Sequence, residues 1–346
     1  MADTYTPNYN LTKPQLLNMD PNWGFKLAGN FDIIDAQLGA RAGFRNRILN
    51  GNFDIWQRGT SFSVANTTAY TADRFQVTSA GATSTVSRTA LTVGGQASQN
   101  AGAKYGLTIT GASGLSYIAL LQGIEGVNTF EGKQVTVSIF SDKAMPAGAY
   151  IRAQQVFGSG GSATVTTDTS MSSAAAGSDY VWTATFTLPS ISGKTIGTSD
   201  YLLIQIIYVP PVVTTAYTFY GYKIDPGSVR TITEVRDPAL ELLACMRYYQ
   251  LLAVGLAGIA ISSSGAYLEQ SLPAPMRAAP TIGNPTAAVT VNDGSVSSTQ
   301  SAAGTATTIN STTSGVVFQL VNFSGLTTNR PLIVTGGGSI PLNADF

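Results

Sequence analysis

The sequence predicts a mainly-β protein with more than one folded unit, and three observations carry that expectation. The chain has 346 residues, beyond the roughly 250–300 at which a single core stops growing. Its β-prone runs alternate apolar and hydroxyl side chains with period two. Val135, Val137 and Ile139 interleave with Thr136 and Ser138, and Trp182, Ala184, Phe186 and Leu188 with Thr183, Thr185 and Thr187. Turn residues interrupt these runs, with 36 glycines and 15 prolines in all. The expected architecture is a jelly-roll β-sandwich followed by a C-terminal β domain, with an N-terminal helical anchor and one linking helix.

Composition narrows the function. Charged residues are 11% of the chain, Lys+Arg and Asp+Glu number 19 each, and the net charge is zero. Such a chain has no basic field to hold nucleic acid. Its 44% hydrophobic content argues against disorder throughout. The absence of histidine removes the commonest general base and metal ligand. One cysteine, Cys245, permits no intrachain disulfide and no cysteine zinc site; on an apolar helix face it reads as an inert buried thiol. An ordinary enzyme is therefore disfavoured. Met1–Asn10 is polar and unlike a secretory signal. Leu251–Ile261, the most apolar stretch, is about half of the ~20 residues a membrane helix needs. A soluble chain without membrane insertion is expected. Gly158-Ser159-Gly160-Gly161 and Gly336-Gly337-Gly338 lack the lysine and following helix of a phosphate loop.

The elements follow in order. Residues 1–20, with Pro7 and Pro14, read as an extended docking segment, and 21–45 as anchor helix and linker. Asp20-Pro21-Asn22 can start that helix and Gly39 can stop it. Trp23, Leu27, Phe31, Ile34 and Leu38 form one apolar stripe. Gly24 and Gly29 cost ~1 kcal/mol each against alanine, so a helix of about 17 residues is marginal alone. Its stripe needs cover, from copies of the chain or a docking protein in preference to its own β domain.

Residues 46–234 read as the sandwich, with about eight or nine strands. Tyr105, Leu107 and Ile109 alternate; Tyr201–Val209 reads as a central strand ended by Pro210-Pro211; Tyr217–Ile224 is closed by Pro226-Gly227. Gly94–Ala103, Gly158–Gly161 and Ala174–Asp179 read as long polar loops.

Residues 235–346 begin with the linking helix. Asp237 is the N-cap candidate, Pro238 takes the first helical position and Glu241 lies in the first turn. Leu240, Leu243, Ala244, Arg247 and Leu251 share one face, and the helix is expected to reach about Tyr249. Leu252–Ile261, Tyr267–Leu272, Ala287–Val291, Val316–Phe323 and Leu332–Val334 are strand candidates. Asn292-Asp293-Gly294 is a hairpin signal. Ser295–Ser314 is a long loop or a strand pair exposed until another chain covers it.

Several motifs carry a resemblance. Asn46-Arg47-Ile48-Leu49-Asn50-Gly51-Asn52-Phe53-Asp54-Ile55-Trp56-Gln57-Arg58-Gly59, followed by Tyr70-Thr71-Ala72-Asp73-Arg74-Phe75, resembles the opening of a domain found in bacteriophage tail-fibre and head-fibre proteins. Phe75 stands where Trp is usual. Tyr220-Gly221-Tyr222-Lys223-Ile224-Asp225-Pro226-Gly227, Cys245-Met246-Arg247-Tyr248-Tyr249 and Ala274-Pro275-Met276-Arg277 are similar to later parts of that family. Trp23-Gly24 and Asn30-Phe31-Asp32-Ile33-Ile34-Asp35 resemble its leading segment. The resemblance implies a jelly roll similar to carbohydrate-binding modules. It also implies a homotrimeric virion fibre, assembled in the host cytoplasm and docked by its N-terminus to phage tail or capsid proteins.

On that reading the partner is a host surface glycan, bound without catalysis by a tail fibre. A capsid-decorating head fibre without a receptor role is the alternative, and a glycan depolymerase the remaining one. Tyr150, Tyr180, Tyr201 and Tyr267 stand beside polar loops and are the glycan-stacking candidates; Trp56 and Trp182 read as core. By the same resemblance, Asn52, Asp54 and Asp225 are candidate calcium ligands, against ordinary turn hydrogen bonding. Asp73-Arg74 with Arg58 reads as a structural ion pair tying a loop to the sandwich. Hydrolysis would need paired carboxylates, and neither Glu125 with Glu131 nor Asp168 with Asp179 is singled out by spacing.

Overall fold

The computed structural model describes residues 4–5, 12–13, 22–41, 46–210, 215–253 and 255–346. The chain divides into two compact units. The first takes Met1–Asp54, Ser61–Ala69 and Val77–Val235; the second takes Ile55–Thr60, Tyr70–Gln76 and Arg236–Phe346.

The first unit opens with a two-stranded ribbon, β1 (Thr4–Tyr5) and β2 (Thr12–Lys13), and helix α1 (Trp23–Arg41). The helix runs through Gly39, which the sequence reading made its stop; Asp20, Pro21 and the side chain of Leu38 lie outside the described residues. There follow β3 (Ser61–Ala65), β4 (Thr68–Tyr70), β5 (Gln76–Ala80), β6 (Thr83–Ala90), helix α2 (Gln96–Ala101), β7 (Tyr105–Gly111), β8 (Tyr117–Glu125) and β9 (Gln134–Ser141). The unit is completed by β10 (Tyr150–Val156), β11 (Val165–Ser170), β12 (Ser172–Ala176), β13 (Asp179–Thr187), β14 (Tyr201–Tyr208) and β15 (Ala216–Pro226). These form a six-stranded sheet, β11-β10-β14-β8-β5-β4, and a seven-stranded sheet, β12-β13-β9-β15-β7-β6-β3. The chain changes sheet repeatedly between β8 and β15, the strand order of a jelly roll.

Strands outnumber the sequence expectation, and Gly94–Ala103 holds α2 where a loop was expected. The strands that were missed carry threonine, serine and alanine. On β11 and β12 nearly every residue is exposed or half-buried, so no apolar alternation marks them.

The core follows from the period of two. Trp182 is fully buried and meets Tyr208 of the other sheet edge-on at 5.8 Å. Tyr217 and Phe219 close the same cluster, their ring centres 5.7 and 5.2 Å from Trp182. The indole N–H donates to the carbonyl of Lys143 at 3.0 Å, so the large ring is buried without an orphaned donor. The opening motif has a mechanical role. The Asn46 amide oxygen accepts from the backbone N–H groups of Ile48 and Ile224, each at 3.0 Å, and the Tyr222 N–H donates to Gly51 at 2.8 Å. A side chain at Gly51 would collide with the Tyr222 carbonyl.

The second unit contains α3 (Pro238–Met246), β16 (Tyr249–Leu252), β17 (Ala257–Ser262), β18 (Gly265–Ser271), β19 (Thr281–Ile282) and β20 (Val289–Asn292). Then come β21 (Ser297–Thr299), β22 (Ala306–Ser311), β23 (Gly315–Val321), β24 (Pro331–Gly337) and β25 (Ile340–Asn343). Its sheets are β21-β20-β24-β17-β18-β23-β22 and β16-β25-β19. Asp237 caps α3, accepting from Ala239 N at 2.9 Å and Leu240 N at 3.3 Å. The expected apolar face is corrected: Leu240 and Leu243 are exposed, and Cys245 is the buried residue of the helix. The helix also stops short of Tyr249, which starts β16. Leu252–Ile261 is two strands parted at Gly255, whose φ of 89° only glycine adopts readily. The hairpin at Asn292-Asp293-Gly294 joins β20 to β21, and the Asp293 carboxylate accepts from Ser295, Val296 and Thr327 N–H groups. Ser295–Ser314 holds β21 and β22.

Trp182→Ala removes the shared wall of the aromatic cluster. The first unit is expected to lose roughly 3–5 kcal/mol in urea melts followed by circular dichroism.

Candidate functional site

One face of the six-stranded sheet is built to meet solvent. Along β10, Ile151 and Ala153 point into the sandwich and Tyr150, Arg152 and Gln154 point out. Register places Tyr150 opposite Ile207, Arg152 opposite Gln205, and Val156 opposite Tyr201. On the other side Arg152 lies opposite Asp168 and Gln154 opposite Thr166. The outward row of β8 adds Tyr117, which is 38% exposed, and the buried Ala119 and Leu121. Tyr150 and Leu203 pack over a small apolar patch of Ala119, Leu121 and Ile207.

Polar groups fill the ground between the tyrosines. The Arg152 guanidinium donates twice to Asp168, Nε to Oδ1 at 2.9 Å and Nη2 to Oδ2 at 2.7 Å. That fork-to-fork pair fixes both side chains in a plane. Arg152 holds the Asp168 carboxyl below the usual carboxylate range, and Asp168 in turn raises the guanidinium. The guanidinium carbon lies 5.6 Å from the Tyr150 ring centre. Gln205 donates to Gln154 at 2.8 Å, and Gln154 donates to Thr166 at 3.3 Å. The result is two neighbouring sets of donors and acceptors, Arg152–Asp168 and Gln205–Gln154–Thr166, across three strands and flanked by phenol rings. Tyr150 and Tyr201 are six residues apart in register, about 20 Å along the strands.

Of the four tyrosines singled out in the sequence, the structure brings Tyr150 and Tyr201 to this one face. Tyr180 sits on β13 of the other sheet, on the register of Trp182 and hence of the sandwich interior. Tyr267 belongs to the second unit, 37% exposed on β18. Tyr117, Arg152, Gln154 and Gln205 were missed. Their signal is cross-strand, and it needs β11 and the β8–β14 register to be seen.

The carboxylates considered for hydrolysis have other partners. Asp168 is held by Arg152. Asp179, on the other sheet, accepts from the Tyr220 hydroxyl at 2.6 Å, and that burial and pairing push the phenol up. Glu131 accepts from the Ile191 N–H at 3.3 Å, and Glu125 ends β8.

The three calcium candidates do not form a shared cage. Asp225 is 1% exposed and accepts from Thr231 N and Oγ1. The cation beside it is Lys223, 1% exposed, with its ammonium 3.1 Å from Asp225 Oδ1. Lys223 also donates to Thr231 Oγ1 at 2.6 Å and to the Ile232 carbonyl at 2.7 Å. Asn52 donates to the Ala101 carbonyl at 3.0 Å, and Asp54 is exposed. Among the described residues no group of three acidic, cysteine or histidine side chains is placed to hold a metal.

The Asp73-Arg74 and Arg58 motif is rearranged relative to expectation. Asp73 accepts from Gln57 through backbone N at 2.8 Å and through its side chain. Arg58 and Arg74 both pair with Asp345. Burial raises the Asp73 carboxyl and the Cys245 thiol.

No family model and no curated protein matches the chain, so the fibre resemblance stands on the sequence motifs. Among solved structures, the chain is similar to a family 11 carbohydrate-binding module from Clostridium thermocellum in complex with a β-1,3-1,4-mixed-linked tetrasaccharide. That match has 10% identity and a TM-score of 0.25, over 51% of this chain and 98% of that one. The family 11 module of the cellulosomal cellulase Lic26A-Cel5E of the same organism matches at 9% identity and a TM-score of 0.25, over 53% and 96%. The tandem CBM22-1-CBM22-2 domain of Xyn10C from Paenibacillus barcinonensis matches at 12% identity and 0.29, over 85% and 97%. The jelly-roll assignment rests on the strand order given above.

Lys223→Met leaves Asp225 buried without its cation. The variant is expected to lose roughly 3–5 kcal/mol in urea melts, and adding Asp225→Asn in the same chain is expected to recover part of that loss.

Proposed function

We propose that the chain is a non-enzymatic glycan-binding subunit of a bacteriophage fibre. The observation that carries the glycan reading is the face of β11, β10, β14 and β8. There Tyr117, Tyr150 and Tyr201 flank the Arg152–Asp168 pair and the Gln154–Gln205 amides. Phenol rings stack on the apolar faces of sugars, and a planar guanidinium–carboxylate pair with neighbouring amides offers both donors and acceptors to ring hydroxyls. The pair is neutral overall, which favours an uncharged glycan. Each carboxylate weighed for hydrolysis has a partner or place that argues against a paired acid and base.

The fibre reading draws on the motifs and on α1. Trp23, Phe25 and Phe31 are 59%, 81% and 60% exposed. An apolar helix surface so open supports burial against copies of the chain, a homotrimer in this reading, or against a tail or capsid protein. Weak sites repeated on one assembly gain avidity through high effective concentration. Tail attachment is the preferred placement, because the glycan face gives the subunit a receptor role that a purely decorating head fibre would not use.

Binding of neutral host-surface oligosaccharides on a glycan array is expected to fall at least tenfold in Tyr150→Ala and in Tyr117→Ala, with the circular dichroism of the sandwich retained. Wild-type binding is expected to stay level down to about pH 4, because Asp168, its carboxyl depressed by Arg152, loses charge only as pH falls through that lowered value. Release of new reducing ends by the purified protein would contradict the non-enzymatic assignment.

Phe31→Asp is expected to convert the trimer to monomer in light scattering, or to block particle incorporation, while the circular dichroism of the sandwich persists. Wild-type protein that is monomeric at micromolar concentration and absent from particles by electron microscopy would contradict the fibre reading.

A further inference from the structure

Separated stretches of the sequence meet, in the second unit, around one short segment. Strand β25 lies between β16 and β19 and is antiparallel to both. Its side chains alternate: Ile340 and Leu342 are 1% and 0% exposed in the apolar core, and Ala344 continues their row. Just past the strand, the Asp345 side chain is 3% exposed and takes two guanidinium groups, Arg58 and Arg74, the latter at 2.8 Å. Each of those cations lies over a tyrosine. The Arg58 carbon is 3.6 Å from the Tyr249 ring centre, and the Arg74 carbon is 3.3 Å from that of Tyr248. Arg277 donates to the carbonyls of Ala344 and Asp345 at 3.0 and 2.8 Å and lies 4.2 Å from the Phe346 ring centre.

These are the parts of a peptide-recognition site: two strand edges for the main chain, apolar slots for alternate side chains, and a charged stop that fixes register. Register matters here because a slip of one residue would turn Ile340 and Leu342 out of the core. The geometry points to a strand-acceptor site that takes an extended peptide of the pattern apolar-x-apolar-x-Ala-Asp-aromatic. In this chain its occupant is the chain's own residues 340–346. The motifs around Gln57-Arg58, Asp73-Arg74, Tyr248-Tyr249 and Arg277 thereby share one task. Asp73 supports it from behind: it holds Gln57, whose side chain also donates to the Tyr249 carbonyl at 3.0 Å.

Hydrogen exchange on the full chain tests the assignment. Amides of 249–252, 281–282, 340 and 342–345 are expected to exchange as one group, ahead of β17, β18 and β23. Asp345→Asn is expected to speed that group at least tenfold and leave the other strands unchanged. The full-length Asp345→Asn chain, its own segment weakened, is then offered a labelled synthetic peptide of residues 338–346. Capture of the peptide with the native Asp345 at least tenfold better than of the same peptide carrying Asp345→Asn supports the site, as does loss of that preference at high salt. Equal capture of the two peptides, no capture of either, or exchange of 340–345 in step with β18 would overturn it and show an ordinary core strand.

Discussion

Everything at the candidate site depends on which face of the six-stranded sheet is buried. A strand has two faces and a period of two, so sealing one row against the Trp182–Tyr208–Phe219 cluster decides the other row with no further freedom. Because Ile151 and Ala153 are inside, Tyr150, Arg152 and Gln154 are outside. Because Leu202, Ile204 and Ile206 are inside, Tyr201, Leu203 and Gln205 are outside. Core packing thus sets the geometry of the site.

The chain handles its few charges in two ways. On the sheet face, Arg152 and Asp168 meet in the open, where an ion pair adds little stability but presents a rigid polar surface. In the interiors, charges are paired with opposite charges. Lys223 is encircled by Asp225, Thr231 and a carbonyl, and Asp345 by two stacked arginines. A buried ion pair is weak evidence for net stability. Its consequence here is positional: each fixes where a strand end or a following segment must lie.

Much of the fold was legible in the sequence where hydrophobic burial is one-sided. The alternation at 135–139 and 182–188, the Asp237-Pro238 helix start and the Asn-Asp-Gly hairpin all state their structure locally. Strands such as β11 and β12 are not legible, because Thr, Ser and Ala on both faces leave no periodic signal. The exposed Leu240 and Leu243 misled for the opposite reason: an apolar stripe reads as core even when the surrounding unit leaves it open. Two of the three tyrosines at the candidate site, Tyr150 and Tyr201, were visible from their neighbourhood of polar loops; Tyr117 was not. Arg152 with Asp168, sixteen residues apart, becomes a pair only once β10 and β11 are known to be antiparallel neighbours. The partners of Arg58 and Arg74 lie 287 and 271 residues away, a distance no local pattern spans.

The most direct test of the central claim is a side-chain-resolved NMR titration with a neutral soluble oligosaccharide selected from an array. The account predicts saturable shifts at the outward rows of β8, β10, β11 and β14, centred on Tyr150, Arg152 and Gln154, while the methyls of Ile151, Leu202 and Ile204 stay in place. Shifts confined to the second unit, or to the interior-facing register of Tyr180, would contradict it.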